Sequence, residues 1–291
     1  MSGGWLTAAW LVPLAVLLPA LFHQCCWRWF ARRLVQSGCV RKNYQNRRVV
    51  TSGGLLVAAT ATFGMLTVNG LGWLTARIDP DWPTFAWFCA GSAVMLLLGL
   101  QDDRADDGNA KGFRGHFHAF WAERRLTSGL RKCLGGGMTA FLLSVAVSQH
   151  SLEVVVHTGL LALSSNLINL FDLRPTRALK AFWLAALCLL LAVPSRLLLL
   201  DAWLWALPAV TASMLFFALD ARGRMMLGDA GANYLGFLFG FACLVSLPLS
   251  AKAVLLLLLV ILHLLAEVVS FSRIIEAIPL LKRLDEWGRT A

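Results

Sequence analysis

Asp102 and Asp103 stand side by side where an apolar run ends, and Asp229 opens another run within Gly228-Asp229-Ala230-Gly231. Adjacent carboxylates at such a boundary repel each other unless a cation or a basic group compensates. Asp102 and Asp103 with Asp229 are therefore candidate hard oxygen ligands for Mg²⁺, or Mn²⁺, which is held by one or two carboxylates with water and phosphate oxygens completing the shell. Asn166 and Asn169 lie three apart on one helical face, and Asp172 follows one step further along it. That row suits a sugar, a nucleotide or the second carboxylate end of a site, although paired asparagines also serve as hydrogen-bonding glue between membrane helices. Basic residues supply the anion-binding half: Lys111, Arg114, His116 and Lys132 after the Asp102-Asp103 pair, then Arg174, Arg177 and Lys180 at helical spacing after Asp172. A pyrophosphate or lipid headgroups would satisfy either group. His116 and His118 have the spacing of metal ligands, but without a third partner a phosphate or surface contact is preferred.

Residues at such boundaries need long apolar elements to hold them. Of 291 residues, 58% are apolar or aromatic and only 14% are charged, with a mean hydropathy of +0.67. Soluble domains carry roughly 25% charged residues, so the composition excludes a water-soluble globular chain, and with it disorder and a collagen-like repeat. Seven cysteines, two adjacent and the rest scattered without a CxxC pair, give neither a disulfide framework nor a zinc ribbon and are expected to be reduced. A spanning helix needs about 20 mostly apolar residues. Nine runs qualify as candidates: 4–23, 51–70, 84–101, 130–149, 152–170, 180–195, 202–219, 231–249 and 253–270. The expectation is an all-α, polytopic integral membrane protein of about nine transmembrane helices, built as a single transmembrane domain over 1–291. The first run has no A-x-A-like cleavage site and leads into a basic stretch, which makes it a retained helix.

The net charge of +10 is not spread evenly. Of the 26 lysines and arginines, 23 fall in the loops after runs 1, 3, 5 and 7 or in the C-terminal tail, leaving Arg77, Arg196 and Lys252 for the alternate loops. By the positive-inside rule this places the odd loops and the C-terminus in the cytoplasm and the N-terminus outside. The same distribution favours anionic lipid or nucleotide as the partner of the charge and gives no support to nucleic acid. Trp5, Trp27, Trp29, Trp82, Trp121, Trp203 and Trp287 sit near run ends as an interfacial aromatic belt. Parity then brings the ends of runs 3 and 5 and the starts of runs 2 and 8 to one membrane face, and those four ends carry the polar residues described above.

Four segments in this order resemble the polyprenyl-phosphate N-acetylhexosamine-1-phosphate transferases, the superfamily of the phospho-N-acetylmuramoyl-pentapeptide and GlcNAc-1-phosphate transferases. They are Thr51-Ser52-Gly53-Gly54, Gly99-Leu100-Gln101-Asp102-Asp103, Asn166-Leu-Ile-Asn169-Leu-Phe-Asp172 and Gly228-Asp229-Ala230-Gly231-Ala232. Lys111-Gly-Phe-Arg114-Gly-His116 and Leu126-Thr-Ser-Gly129 before Lys132 resemble one branch of it. The resemblance implies a multi-pass cell-membrane enzyme with a cytoplasmic active site, Mg²⁺-dependent, with polyprenyl phosphate and a UDP-sugar as substrates and UMP as leaving group; it leaves a homodimer open. Asp229 would then hold the metal, and Asp102 or Asp103 would assist it or deprotonate the lipid phosphate. Asn169 and Asp172 would shape the nucleotide-sugar pocket, with Thr51 and Lys132 as further substrate contacts. The chain also departs from the family pattern Asp-Gly-x-Asp-Gly, carrying Asp172-Leu173-Arg174-Pro175-Thr176 instead, and it has no His-rich last cytoplasmic loop. These departures motivate one rival, a catalytically impaired relative that binds lipid-linked or nucleotide-sugar ligands. A transporter is the second rival and ranks last, because its polar groups belong near the bilayer midplane.

Overall fold

The structure, a computed structural model, describes residues 10–75, 79–105, 127–193 and 201–289, without the side chains of 201–205. Its elements are α1 (Leu11–Gln36), a hairpin of β1 (Val40–Lys42) and β2 (Arg48–Val50), α2 (Gly54–Leu74), α3 (Trp82–Arg104), α4 (Ser128–Val147), α5 (Ser151–Phe171), α6 (Arg177–Ala192), α7 (Asp201–Ala221), α8 (Gly228–Ser246), α9 (Leu249–Val268), α10 (Phe271–Ala277) and α11 (Pro279–Glu286). The two strands pair antiparallel, with Val40 opposite Val50. The chain is a polytopic membrane protein of helices, the short hairpin being the exception among the described residues.

Of the nine expected spans, seven are matched among the described residues by helices long and apolar enough to cross a membrane, α1 to α5 with α8 and α9. The run expected at 180–195 lies on α6, whose 16 residues rise only about 24 Å against a hydrocarbon core of about 30 Å. The run expected at 202–219 lies on α7, which at 21 residues has the length of a span; its side chains are described from Ala206 onward, as an apolar stretch to Ala221. The first helix also runs later than expected, ending at Gln36 instead of 23. Nothing in Trp27-Arg-Trp-Phe-Ala-Arg-Arg-Leu-Val-Gln36 breaks a helix, and the stop comes only at Gly38, where φ is +74°. Two of the aromatic-belt residues lie on that extension: Trp29 is exposed and Trp27 half-buried, with Arg33 and Arg28 over their rings. Trp5 and Trp121, and the side chain of Trp203, lie outside the described residues.

The core is organised around α8, which packs against α5 and α3 and, at its start, against α2. In its apolar window 83% of residues are buried, compared with 6% for α9, so α8 is enclosed by protein while α9 faces lipid. Small residues make the enclosure possible, as in other membrane bundles where packing must replace the missing hydrophobic drive. A Cβ at Gly54 would collide with the Gly231 backbone, and one at Gly99 would lie 2.5 Å from the Ala230 Cα and N. The motif glycines therefore set how closely α2 and α3 approach the start of α8. Deeper in the bundle, Phe88 of α3 meets Tyr234, Phe237 and Phe241 of α8 with ring centroids 5.5–6.5 Å apart.

Candidate functional site

The site forms at one end of the bundle, where α3 and α5 finish and α2 and α8 begin. Backbone bonds fix the frame first. The Met226 amide donates to the Val50 carbonyl at 2.8 Å, and the Gly53 and Gly54 amides donate to the Met226 and Leu227 carbonyls at 2.9 Å. The β2–α2 turn is thus stitched to the approach of α8. Gly228 turns the chain into α8 with φ +73°, and a side chain there would strike Asp103 Oδ2 at 2.6 Å and the Ser52 amide nitrogen at 2.8 Å.

Asp103 occupies the centre of this joint and is buried. Its carboxylate accepts from Thr51 Oγ1 (3.3 Å), Ser52 Oγ (2.7 Å) and the backbone amides of Asp229 (3.0 Å) and Ala230 (3.2 Å). The two amides are unpaired donors of the first turn of α8, where a negative charge is favoured. Ser52 sits in the left-handed region, φ +61°, with its hydroxyl on Asp103. Both oxygens of Asp103, expected as a metal ligand, are thereby occupied in joining α2, α3 and α8.

Asp102 and Asp229 face a cation instead. Lys132 Nζ, in the second turn of α4, lies 2.6 Å from Asp102 Oδ2 and 3.2 Å from Asp229 Oδ1. Ser128 Oγ, at the start of α4, donates to the other oxygen of Asp102. Lys132 therefore bridges two of the expected catalytic carboxylates across three helices. Beside it opens a cavity of about 230 Å³ whose wall includes Thr51, Asp103, Asn169, Asp172, Arg174 and Asp229. Asn166, one turn back along α5, is half-buried and does not line the cavity. Lys111, Arg114, His116 and His118 lie outside the described residues.

Two further charged residues, Asp220 and Arg41, line the cavity. Asp220, at the end of α7, is buried and accepts from the Thr176 amide at 2.6 Å. That bond holds Thr176 at φ +66°, a left-handed conformation costly for a β-branched residue, at the position where the family pattern has its second glycine. Arg41 on β1 donates through Nε to the Asp103 carbonyl at 2.9 Å and through Nη2 to the Ala105 carbonyl, capping the end of α3 with positive charge. The signal for Asp220 was present in the sequence, since the end of run 7 shares the parity of the other four polar ends.

Electrostatics around the cavity favour a cation. Removal from water, followed by the neighbouring charges of Asp220, Asp229 and Asp103, pushes the Asp172 carboxyl well above the usual carboxylate range, against a hydrogen bond from the Gly228 amide. Among the described residues no group of three or more His, Cys, Asp or Glu forms a cage for a metal ion. An octahedral ion that takes one or two carboxylates and completes its shell with phosphate oxygens and water needs no such cage. Asp229 and Asp172, both on the cavity wall, fit that demand better than Asp103, whose oxygens are already saturated.

Arg177 and Lys180, expected as phosphate contacts, are engaged elsewhere. Arg177 forms a two-pronged pair with Asp285, Nε to Oδ1 at 2.7 Å and Nη2 to Oδ2 at 2.8 Å, and its third nitrogen donates to Ser272 Oγ at 2.7 Å. Lys180 Nζ donates to the carbonyls of Leu284, Asp285 and Trp287 at 3.0, 2.8 and 2.6 Å, closing the end of α11. Both tie the C-terminal segment onto the bundle. Arg174 alone of the three reaches the cavity; it stacks over Tyr44 of the hairpin at 4.7 Å and lies 3.7 Å from Glu276.

No protein-family model matches the chain. No curated protein matches it either.

The Asp285 anchor gives a pH-dependent expectation. Burial alone would raise its carboxyl, but hydrogen bonds and charges from Arg177 and Arg289 more than offset this and hold it below the usual range. A depressed folded-state pKa contributes stability that is fully present above the unfolded value of about 3.9 and is lost as pH falls through the folded value. Hydrogen–deuterium exchange over residues 271–289 should therefore stay slow from neutral pH down to about pH 4 and accelerate below it. Asp285→Asn should exchange fast already at pH 7. Slow exchange in that variant would show that the ion pair does not hold the segment.

Proposed function

We propose that this chain is an integral-membrane phospho-sugar transferase. It moves a sugar-1-phosphate from a UDP-sugar, with a UDP-N-acetylhexosamine as the favoured donor, to a polyprenyl phosphate on the cytoplasmic face, in bacterial cell-envelope glycan synthesis. The observation that carries this is the convergence of Thr51, Asp103, Asn169, Asp172 and Asp229, drawn from all four resembling segments, on one cavity with Lys132 beside it.

The reaction asks little covalent chemistry of the protein. An oxygen of the lipid phosphate attacks the β-phosphorus of the UDP-sugar, the bond from that phosphorus to the bridging oxygen breaks, and UMP leaves with the electron pair. Such transfers depend on placing the two oxygens in line and neutralising charge. The lipid phosphate is already largely anionic near neutral pH, so no strong base is required. Lys132 and Arg174 supply positive charge at the cavity, Asn169 offers its amide to the sugar or the base, and Asp103 fixes the helix starts on which the others sit. Mg²⁺, or Mn²⁺, held by Asp229 with Asp172, would supply Lewis-acid neutralisation of the phosphate oxygens.

Two observations favour the impaired-relative reading: Asp103 is saturated by four hydrogen bonds, and Pro175 stands where the family pattern has a second carboxylate. One experiment separates the two readings. Detergent-purified protein is given undecaprenyl phosphate, Mg²⁺ and a panel of UDP-sugars, and UMP release is followed with and without EDTA. EDTA-sensitive release with one donor is the expected result. Saturable binding of a UDP-sugar with no UMP from any donor would replace the transferase with the binding-only relative.

A further inference from the structure

The C-terminal segment has a polarity that water alone does not explain. On α11 the side chain turned to the protein is a charged one, Asp285, locked by Arg177 and Arg289. The residues turned away from the protein are apolar: Leu280 and Leu284 stand at i and i+4 and are 66% and 56% exposed, and Trp287, just past the helix end, is 65% exposed while its ring also meets Phe217. That spacing forms one stripe along a helix. A third side carries Lys282 and Glu286, 54% and 58% exposed and 4.0 Å apart. Protein, an apolar neighbour and water thus meet three different sides of one short helix.

The apolar neighbour is identified by what precedes the segment. α9 is the most lipid-facing of the spans, with 6% of its apolar window buried and Val268 at its end 83% exposed. Only Val269 and Ser270 separate it from α10, so the chain leaves the hydrocarbon region directly into α10 and reaches α11 after Ile278. Phe271 then stacks on Phe171 of α5 with centroids 5.0 Å apart, and Trp287 lies 5.9 Å from Phe217 of α7. These contacts hold the segment at the bundle end that bears the cavity. A stripe of leucines and a tryptophan at that depth, bordered by Lys282 and Arg283, has the make-up of a helix lying in the plane of the interface.

We propose that residues 271–289 are an interfacial foot: Leu280, Leu284 and Trp287 enter the boundary between headgroups and acyl chains beside α9, and Asp285 fastens the opposite side to Arg177. The foot does not depend on the transferase reading, because it is a statement about the membrane contact of the segment alone. Arg174 connects it to the cavity through Glu276.

Nitroxide-bearing residues placed singly at Leu280, Leu284, Lys282 and Glu286, all of them exposed, test the proposal in full-length protein reconstituted one copy per lipid nanodisc. Collision with oxygen, which concentrates in lipid, is compared with collision with a water-soluble nickel chelate. The ratio of the two should be severalfold higher at 280 and 284 than at 282 and 286. Equal ratios at all four positions, with nickel dominant, would overturn the foot. So would spin–spin broadening at 284 in liposomes holding several copies, together with nickel access at 284 in single-copy discs, since the stripe would then be covered by a second copy of this chain. No activity measurement enters, so a failure here leaves the transferase reading untouched.

Discussion

Replacing Asp103 by alanine is expected to disassemble the joint at the cavity end of the bundle, lowering the thermal midpoint in detergent by several degrees and removing activity with it. The carboxylate accepts four hydrogen bonds, two from hydroxyls and two from amides of the first turn of α8. A hydrogen bond to a charged acceptor contributes about 1.5–3 kcal/mol, and a buried donor left unpaired carries its desolvation cost. Because the four share one group and relax together, the net loss is on the order of 3 kcal/mol rather than their sum. Three things should follow from the one truncation: Ser52, at φ +61°, loses the partner of its hydroxyl, the first amides of α8 lose their acceptor, and α3 loses its grip on both. Asp103→Asn should sit between wild type and alanine, since an amide keeps one acceptor but presents a donor to groups that also donate. The check is a melting curve alongside UMP release. A variant that melts like wild type while losing turnover would make Asp103 a chemical residue and would restore it as a metal ligand.

The contrast between Asp103 and its neighbour marks what a sequence can and cannot carry. Hydropathy finds α2, α3, α4, α5, α8 and α9 because lipid imposes a length on them, and parity then puts the ends of α3 and α5 with the starts of α2 and α8. Which carboxylate of an adjacent pair turns inward is decided by partners 51 and 52 residues earlier and 126 and 127 later, and no local pattern encodes that. Arg177 and Lys180 show the same limit. Their helical spacing after Asp172 suits a phosphate, yet their partners lie 95 to 108 residues downstream in a segment that folds back on the bundle. Asp220 lies at the end of run 7, which parity places on the same face, but a single acidic residue after an apolar run has the same local pattern as a solvated loop. The end of α1 was hidden for a different reason: apolarity ends with the membrane, whereas helix formation ends only where a glycine or a cap stops it.

Asp229→Asn should behave in the opposite way from Asp103→Ala, keeping the fold and losing the chemistry. Asparagine preserves the size of the side chain and an oxygen that can still accept from Lys132, 3.2 Å away. It removes one negative charge from a cavity wall that also carries Asp103, Asp172 and Asp220. Like charges held together in a partly dehydrated site destabilise it, so the melting temperature should be unchanged or raised. On the transferase reading, turnover would depend on that charge for the opposite reason: beside Lys132, a metal ion shared with the phosphates would offset the carboxylates that line the cavity. Losing a preorganised electrostatic partner of a phosphoryl group costs about 10²–10³ in rate, and UMP release should fall by at least that much. The concentration of Mg²⁺ giving half-maximal rate should rise in any residual activity. Mn²⁺ provides a readout free of turnover, because its free-ion electron paramagnetic resonance signal disappears on binding. Wild-type protein should quench that signal at one site per chain, Asp229→Asn should weaken the binding, and Asp102→Asn should disturb it less, because Asp102 is already paired with Lys132 and Ser128. Equal Mn²⁺ binding and equal turnover in wild type and Asp229→Asn would leave the carboxylates without a metal to share. Lys132 would then be their principal counter-charge, and the cavity would be better described as a binding site than as a centre for phosphoryl transfer.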